Sequence, residues 1–251
     1  MAGLEWVRQG IALFKKKPAE MFLFGNTYLF VLIAMALLPV LGPAMLTMIT
    51  PTLGFGMMQA GKMAQAGEKV SPAVLFCGLS AQYAQHRKSL ITLGIVYTLY
   101  FALIKLGLTL IVGPTPVVEI SGTTPNAEQA AALSNYMLQY TLLASLFSLP
   151  VLLAFWFAPV LVVWHNMKPM HALFSSWVAT WRNKLAFLVY GVSWVLLSTV
   201  CYIVFSLILA VLGLPKVFMG SFALMLGALG TAVFICTFYA TYGVFTDHKP
   251  D

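Results

Sequence analysis

Charge is what this sequence has least of. Charged residues fill 8% of its 251 positions, against about a quarter in an ordinary soluble domain, and that scarcity excludes a water-exposed globular fold. Only seven residues are acidic: Glu5, Glu20, Glu68, Glu119, Glu128, Asp247 and Asp251. No two of them converge on one expected site, and none lies inside a long apolar run. Proton- and sodium-coupled transporters commonly carry such an intramembrane carboxylate, so its absence argues against that class. Cysteine is scarce as well. Cys77, Cys201 and Cys236 stand far apart with no CxxC spacing, which excludes a disulfide framework and a zinc finger. GxSxG, HExxH and P-loop motifs are all absent. His165, Asn166 and His171 lie close in sequence, but six residues and Pro169 separate the two imidazoles, and no carboxylate or thiol joins them. The chain is therefore expected to be non-enzymatic, with no metal and no cofactor.

Apolar residues are what it has in abundance: 61% hydrophobic, with a mean hydropathy of +0.90. Runs of about 20 apolar residues suffice to cross a bilayer, and six are legible, at 21–40, 44–66, 90–112, 136–165, 185–212 and 217–242. The predicted fold is all-α, a polytopic membrane helix bundle forming one integral membrane domain over 1–251. Glycine and proline punctuate it at Pro39, Gly42-Pro43, Gly113-Pro114 and Gly213-Leu214-Pro215. The fourth run contains Pro150 and is too long for one straight crossing, so it is expected to kink or split there. Two ridges of small residues, Gly56/Ala60/Ala64 and Ala223/Gly227/Thr231, are expected to let neighbouring helices approach closely. The first 14 residues carry Glu5 and Arg8 where a signal peptide needs an unbroken apolar core, so no cleavable signal is expected.

Three times an amphipathic stretch ends in a basic break and runs into a span: Lys15-Lys16-Lys17-Pro18, His86-Arg87-Lys88-Ser89 and Trp181-Arg182-Asn183-Lys184. Leu4, Val7, Ile11 and Phe14 form the apolar side of the first stretch. Leu75, Phe76, Leu79 and Tyr83 form that of the second, which Ser71-Pro72 opens, and Met170, Leu173, Phe174, Trp177 and Trp181 that of the third. Each is predicted to lie as an interfacial helix in the headgroup layer. Glycine follows each break by about seven residues, at Gly25, Gly94 and Gly191. The layout predicts a pseudo-threefold repeat over 3–66, 71–165 and 168–245.

Twelve of the fourteen Lys and Arg residues fall on one side of a six-span arrangement, with Lys216 opposite and Lys105 inside a span. The positive-inside rule puts that side, both termini and the three interfacial helices in the cytoplasm, with the loop 115–135 outside. The net charge of +7 is accounted for by anionic inner-leaflet lipids, each basic residue contributing about 1 kcal/mol near the surface; nucleic acid is not needed. The lipid-headgroup or anion candidates are Lys15, Lys16, Lys17, Arg87, Lys88, Arg182, Lys184 and Lys105. Lys105 lies about 12 Å of rise from its helix end, about half of which a snorkelling lysine side chain can span. The aromatic interface anchors are Trp6, Trp177 and Trp181.

The opening GIALFKKKPA and the stretch FAPVLVVWHNMKPMHALFSSWVATWRNKLAFLVYG at 157–191 resemble a family of uncharacterised proteobacterial inner-membrane proteins. The layout is also similar to the membrane domain attached to some bacterial glycerophosphodiester phosphodiesterases, whose soluble barrel has no counterpart here. The resemblance implies architecture and no catalytic residues. The expected role is a non-catalytic inner-membrane protein that organises lipids or partner proteins, with a protein partner or a second copy as possible company. The alternative is a transporter or lipid-translocating protein with a cavity near Lys105.

Overall fold

The computed structural model describes residues 2–39, 41–114, 127–213 and 217–245. They contain nine α-helices and no strand: α1 (Ala2–Lys16), α2 (Pro18–Ala36), α3 (Leu41–Gln65), α4 (Arg87–Val112), α5 (Ala127–Phe155), α6 (Ala158–Trp164), α7 (Pro169–Arg182), α8 (Lys184–Val211) and α9 (Val217–Ala240). Short 3-10 segments cover Pro72–Leu79, Ala81–His86 and Thr241–Phe245. Six helical stretches are long and apolar enough to cross a membrane: Pro18–Ala36, Leu41–Gln65, Ala81–Val112, Gln129–Trp164, Lys184–Val211 and Phe218–Phe245. Their boundaries lie within a few residues of the apolar runs in most cases, because hydropathy over a whole window is a strong signal. The fourth begins earlier, in an alanine-rich stretch from Gln129; residues 115–126 of the loop before it fall outside the described residues.

The fourth span breaks at Trp156–Phe157 and not at Pro150, which sits inside the continuous helix α5. Pro159 supplies the reason. It has no N–H to offer the carbonyl of Phe155, four residues back, and its ring crowds that carbonyl, so α5 ends at Phe155 and α6 restarts with proline in its first turn. Side chains of α7 take up the freed backbone groups. The Ser176 hydroxyl accepts from the Phe157 N–H at 3.0 Å and donates to the Leu153 carbonyl at 3.0 Å. At its other end α6 closes on Asn166, which adopts the left-handed φ of 53° that asparagine tolerates. The Met167 N–H then returns to the Leu161 carbonyl at 3.2 Å, which also accepts the His165 N–H, and so closes the helix end.

Packing is concentrated at the end of the bundle that carries the basic breaks. Six of the seven residues of α6 are buried there, among Met21, Phe24, Phe55, Met58 and Phe157, each fully enclosed. By contrast α8, with 28 residues, buries only Tyr190 and Leu209. Lipid is as apolar as leucine, so what holds these helices is close contact rather than expulsion of water. The first small-residue ridge provides such contact: Ala60 and Ala64 are fully buried, and Gly56 has the Leu75 backbone where a Cβ would stand.

The second ridge is different. Gly227 has nothing within 4 Å of the place a Cβ would occupy. With Ala223 and Thr231 it lines an open cleft of about 700 Å³ between α2, α8 and α9. Rings stand between α8 and α9 and hold them apart: Phe205 stacks on Phe222 with centroids 3.6 Å apart, and Trp194 meets Phe234 at 5.7 Å. The glycines after the basic breaks also part company. Gly25 packs on Ala232 of α9 and Gly94 on the Met48 carbonyl of α3, whereas Gly191 faces open space.

The interfacial stretches depart from expectation in two ways. In α1 the buried stripe is Gly3, Trp6, Gly10 and Leu13, one position before the Leu4/Val7/Ile11/Phe14 face; Leu4 is half exposed. The small residues decide this, because Gly3 and Gly10 leave room for the Ala186–Tyr190 turn of α8 and for Thr237 of α9. The second stretch is not one amphipathic α-helix but two 3-10 turns, with Ser80 extended at φ −68°, ψ 163° between them. It presses its backbone onto Gly56, and His86 is 7% exposed instead of standing at the surface.

Candidate lipid-headgroup face

Chain connectivity and side-chain contacts bring the three basic breaks to one end of the bundle. α1 crosses that end from the first turns of α8 to the last turns of α9, held by Trp6, which meets Phe187 at 5.1 Å and Tyr190 at 6.1 Å. Trp6 therefore does not ring the outside as an interface anchor: at 5% exposure it is enclosed, because glycine on either side of it lets α1 sink against α8. Trp177 and Trp181 do lie on the outer side of α7. Their rings stack at 5.6 Å and 10°, and the Lys184 ammonium sits 5.1 Å from the Trp181 centroid, a cation–π arrangement at an open site.

Lys15 and Lys16 occupy the last turn of α1. Lys17 is tied down: its ammonium pairs with Glu20 at 3.3 Å, and the other Glu20 oxygen accepts the Val70 N–H, which joins the first break to the chain after α3. Arg87 and Lys88 open α4, and the Arg87 guanidinium donates to the Leu79 carbonyl at 3.0 Å. Arg182 closes α7 and Lys184 opens α8. Arg87, Lys88 and Lys184 thus stand in first turns, where a cation opposes the helix dipole by about 0.3–1 kcal/mol, and no side chain caps either helix. Arg182 alone among these four sits where the dipole favours it.

Sequence reasoning missed a polar group between the breaks. Tyr239 donates its hydroxyl hydrogen to Gln65, Trp164 donates to Gln59 at 3.1 Å, His165 and Tyr242 share a hydrogen bond of 2.6 Å, and the Lys62 ammonium lies 4.6 Å from the Trp164 ring centroid. These tie the ends of α3, α6 and α9 together. The available signal was the i, i+3 pair Tyr239/Tyr242 at the end of a span, the place where amphipathic rings gather. Beside them a cavity of about 570 Å³ opens between α1, the end of α3 and the start of the last 3-10 turn. A second, of about 460 Å³, lies between Arg182 of α7 and Phe245.

Lys105 is not part of this face. It is exposed on α4 and lines neither of these cavities nor the cleft beside α9. Lys216 and Lys249 fall outside the described residues. Among the described residues no three His, Cys, Asp or Glu side chains gather as a metal site would require.

A probable inner membrane protein of Burkholderia thailandensis is 34% identical to this chain over 255 aligned positions, which cover 99% of this chain and 92% of that protein. No protein-family model matches the chain, and no solved structure matches it.

Proposed function

We propose a function from one premise: the chain belongs to the same family as the probable inner membrane protein of Burkholderia thailandensis. It is a multi-pass inner-membrane protein, and in our reading a non-catalytic one, which gathers anionic phospholipid around its basic end in the cytoplasmic leaflet. The observation that carries this reading is the placement of Arg87, Lys88 and Lys184 in the first turns of α4 and α8. Three exposed cations set against helix dipoles weaken both helices in water. Next to phosphate the sign reverses, since anions favour helix N-termini and each cation near an anionic surface gains about 1 kcal/mol. Trp177 and Trp181 support the same depth, because indole rings with one polar edge gather at the headgroup level. Lipid, rather than nucleic acid, is then the partner of the +7 charge.

The test is the lipid that travels with the protein. The chain, extracted gently and analysed by mass spectrometry, should retain phosphatidylglycerol and cardiolipin above their share of the source membrane. A variant with Arg87, Lys88 and Lys184 all changed to glutamine should lose most of that enrichment. Retained lipid that mirrors the bulk membrane in both proteins would refute the reading.

A further inference from the structure

We propose that the cavity between α1, α3 and the end of α9 is a specific site for the phosphate ester of a glycerophospholipid. This rests on the reading above and goes beyond it by naming one place and one chemistry. Its wall is built from three segments distant in sequence: Gln9 and Lys16 from α1, Gln65 from the last residue of α3, and Tyr239 and Tyr242 from the end of the sixth span. The volume of about 570 Å³ falls in the range of about 300–1,000 Å³ typical of small-molecule sites.

The donor set selects the ligand. Lys16 brings one positive charge and three N–H donors, and Gln9 and Gln65 bring amides. Tyr239 spends its hydroxyl hydrogen on the Gln65 oxygen, which fixes that amide with its NH2 end as donor. No carboxylate is among the lining residues, so nothing there answers an ammonium group. Glu5, one turn from Gln9, accepts from it at 3.4 Å and pairs with Arg8 at 3.5 Å on the open side of α1. One cation surrounded by neutral donors suits a monoanion with several oxygen acceptors, which describes a phosphodiester. The remaining wall is apolar, Ala12, Leu13 and Ala240, and suits the glycerol and first acyl carbons of a lipid entering from the bilayer. The elements around it are braced by the Tyr239–Gln65 and His165–Tyr242 hydrogen bonds, so the ligand meets a preformed wall.

The measurement is native mass spectrometry of the full chain in detergent, titrated with phosphatidylglycerol and, separately, phosphatidylethanolamine. Lys16→Met should weaken the first bound phosphatidylglycerol by about 3- to 10-fold, the effect of one charge-assisted contact at a partly open site. Gln65→Leu should weaken it as well. Lys15→Met removes the same charge one position away, outside the cavity, and as a general headgroup contact should weaken the first binding step far less than Lys16→Met does. Melting temperatures within a few degrees of the parent protein would confirm that the variants fold. Equal losses in Lys15→Met and Lys16→Met, or no loss in Lys16→Met and Gln65→Leu, would overturn the site while leaving general attraction of anionic lipid intact. Absence of any preference for phosphatidylglycerol in the parent protein would overturn both. Displacement of the lipid by glycerol 3-phosphate at similar concentration would support the phosphate site and assign it to a soluble ester.

Discussion

Gly10 of α1 lies so close to Thr237 of α9 that no Cβ fits between them. That contact, with Gly3 against α8, is what makes α1 part of the bundle rather than a helix lying freely on the surface. Gly10→Leu should therefore lift α1 from α9 and lower stability by about 1–3 kcal/mol, the usual cost of overpacking. Gly191→Leu, with nothing within 4 Å, should be neutral. Thermal unfolding of both variants in one detergent, with protease sensitivity of residues 2–17 as the local readout, separates them; equal stability would contradict the wedge.

At the break between α5 and α6 one hydroxyl serves two backbone groups, with Thr180 also donating to the Leu153 carbonyl at 3.4 Å. Ser176 is fully buried and serves both the Phe157 N–H and the Leu153 carbonyl. Ser176→Ala should leave a buried backbone donor unpaired at a cost of about 1–3 kcal/mol, while Ser176→Thr keeps the oxygen. A melting temperature for Ser176→Ala equal to that of the parent would show that the break closes by other means.

Much of this was open to sequence reasoning, and what was not has a common cause. The six spans follow from hydropathy over twenty residues, where no single neighbour can reverse the outcome. Single residues are decided by what they touch. Pro150 and Pro159 look alike in sequence, yet α5 runs on past the first and ends four residues before the second, where Ser176 of another helix satisfies the break. Trp6 carries the marks of an interface ring, but Gly3 and Gly10 turn its face of α1 inward. Lys16 was visible as a basic residue at a break; that Gln9, Gln65 and Tyr239 share its cavity depends on α1 crossing the end of α9, a contact between chain ends that no local pattern encodes.

Cysteine chemistry offers a check on the packing of the second interfacial stretch. Burial pushes the Cys77 thiol up to about 11. Since the thiolate is the reactive form, a raised value means that Cys77 stays neutral and slow at pH 7–9 and gains reactivity only as the pH approaches 11. In a chain with Cys201 and Cys236 changed to serine, iodoacetamide labelling against pH should show this late rise. A midpoint near 8.5, the value of an unburied thiol, would mean that the 3-10 segment does not pack onto α3.

The proposed lipid role requires the basic end to face the cytoplasm and the other end of the same spans to face away. In a cysteine-free chain, single cysteines at Arg182 and Pro114 test this with a membrane-impermeant maleimide applied to intact spheroplasts and to inverted vesicles. The expected result is that the cysteine at 182 reacts only in inverted vesicles and the one at 114 only in spheroplasts. Reaction of both from the same side, or the reversed pattern, would contradict a basic end set in the cytoplasmic leaflet.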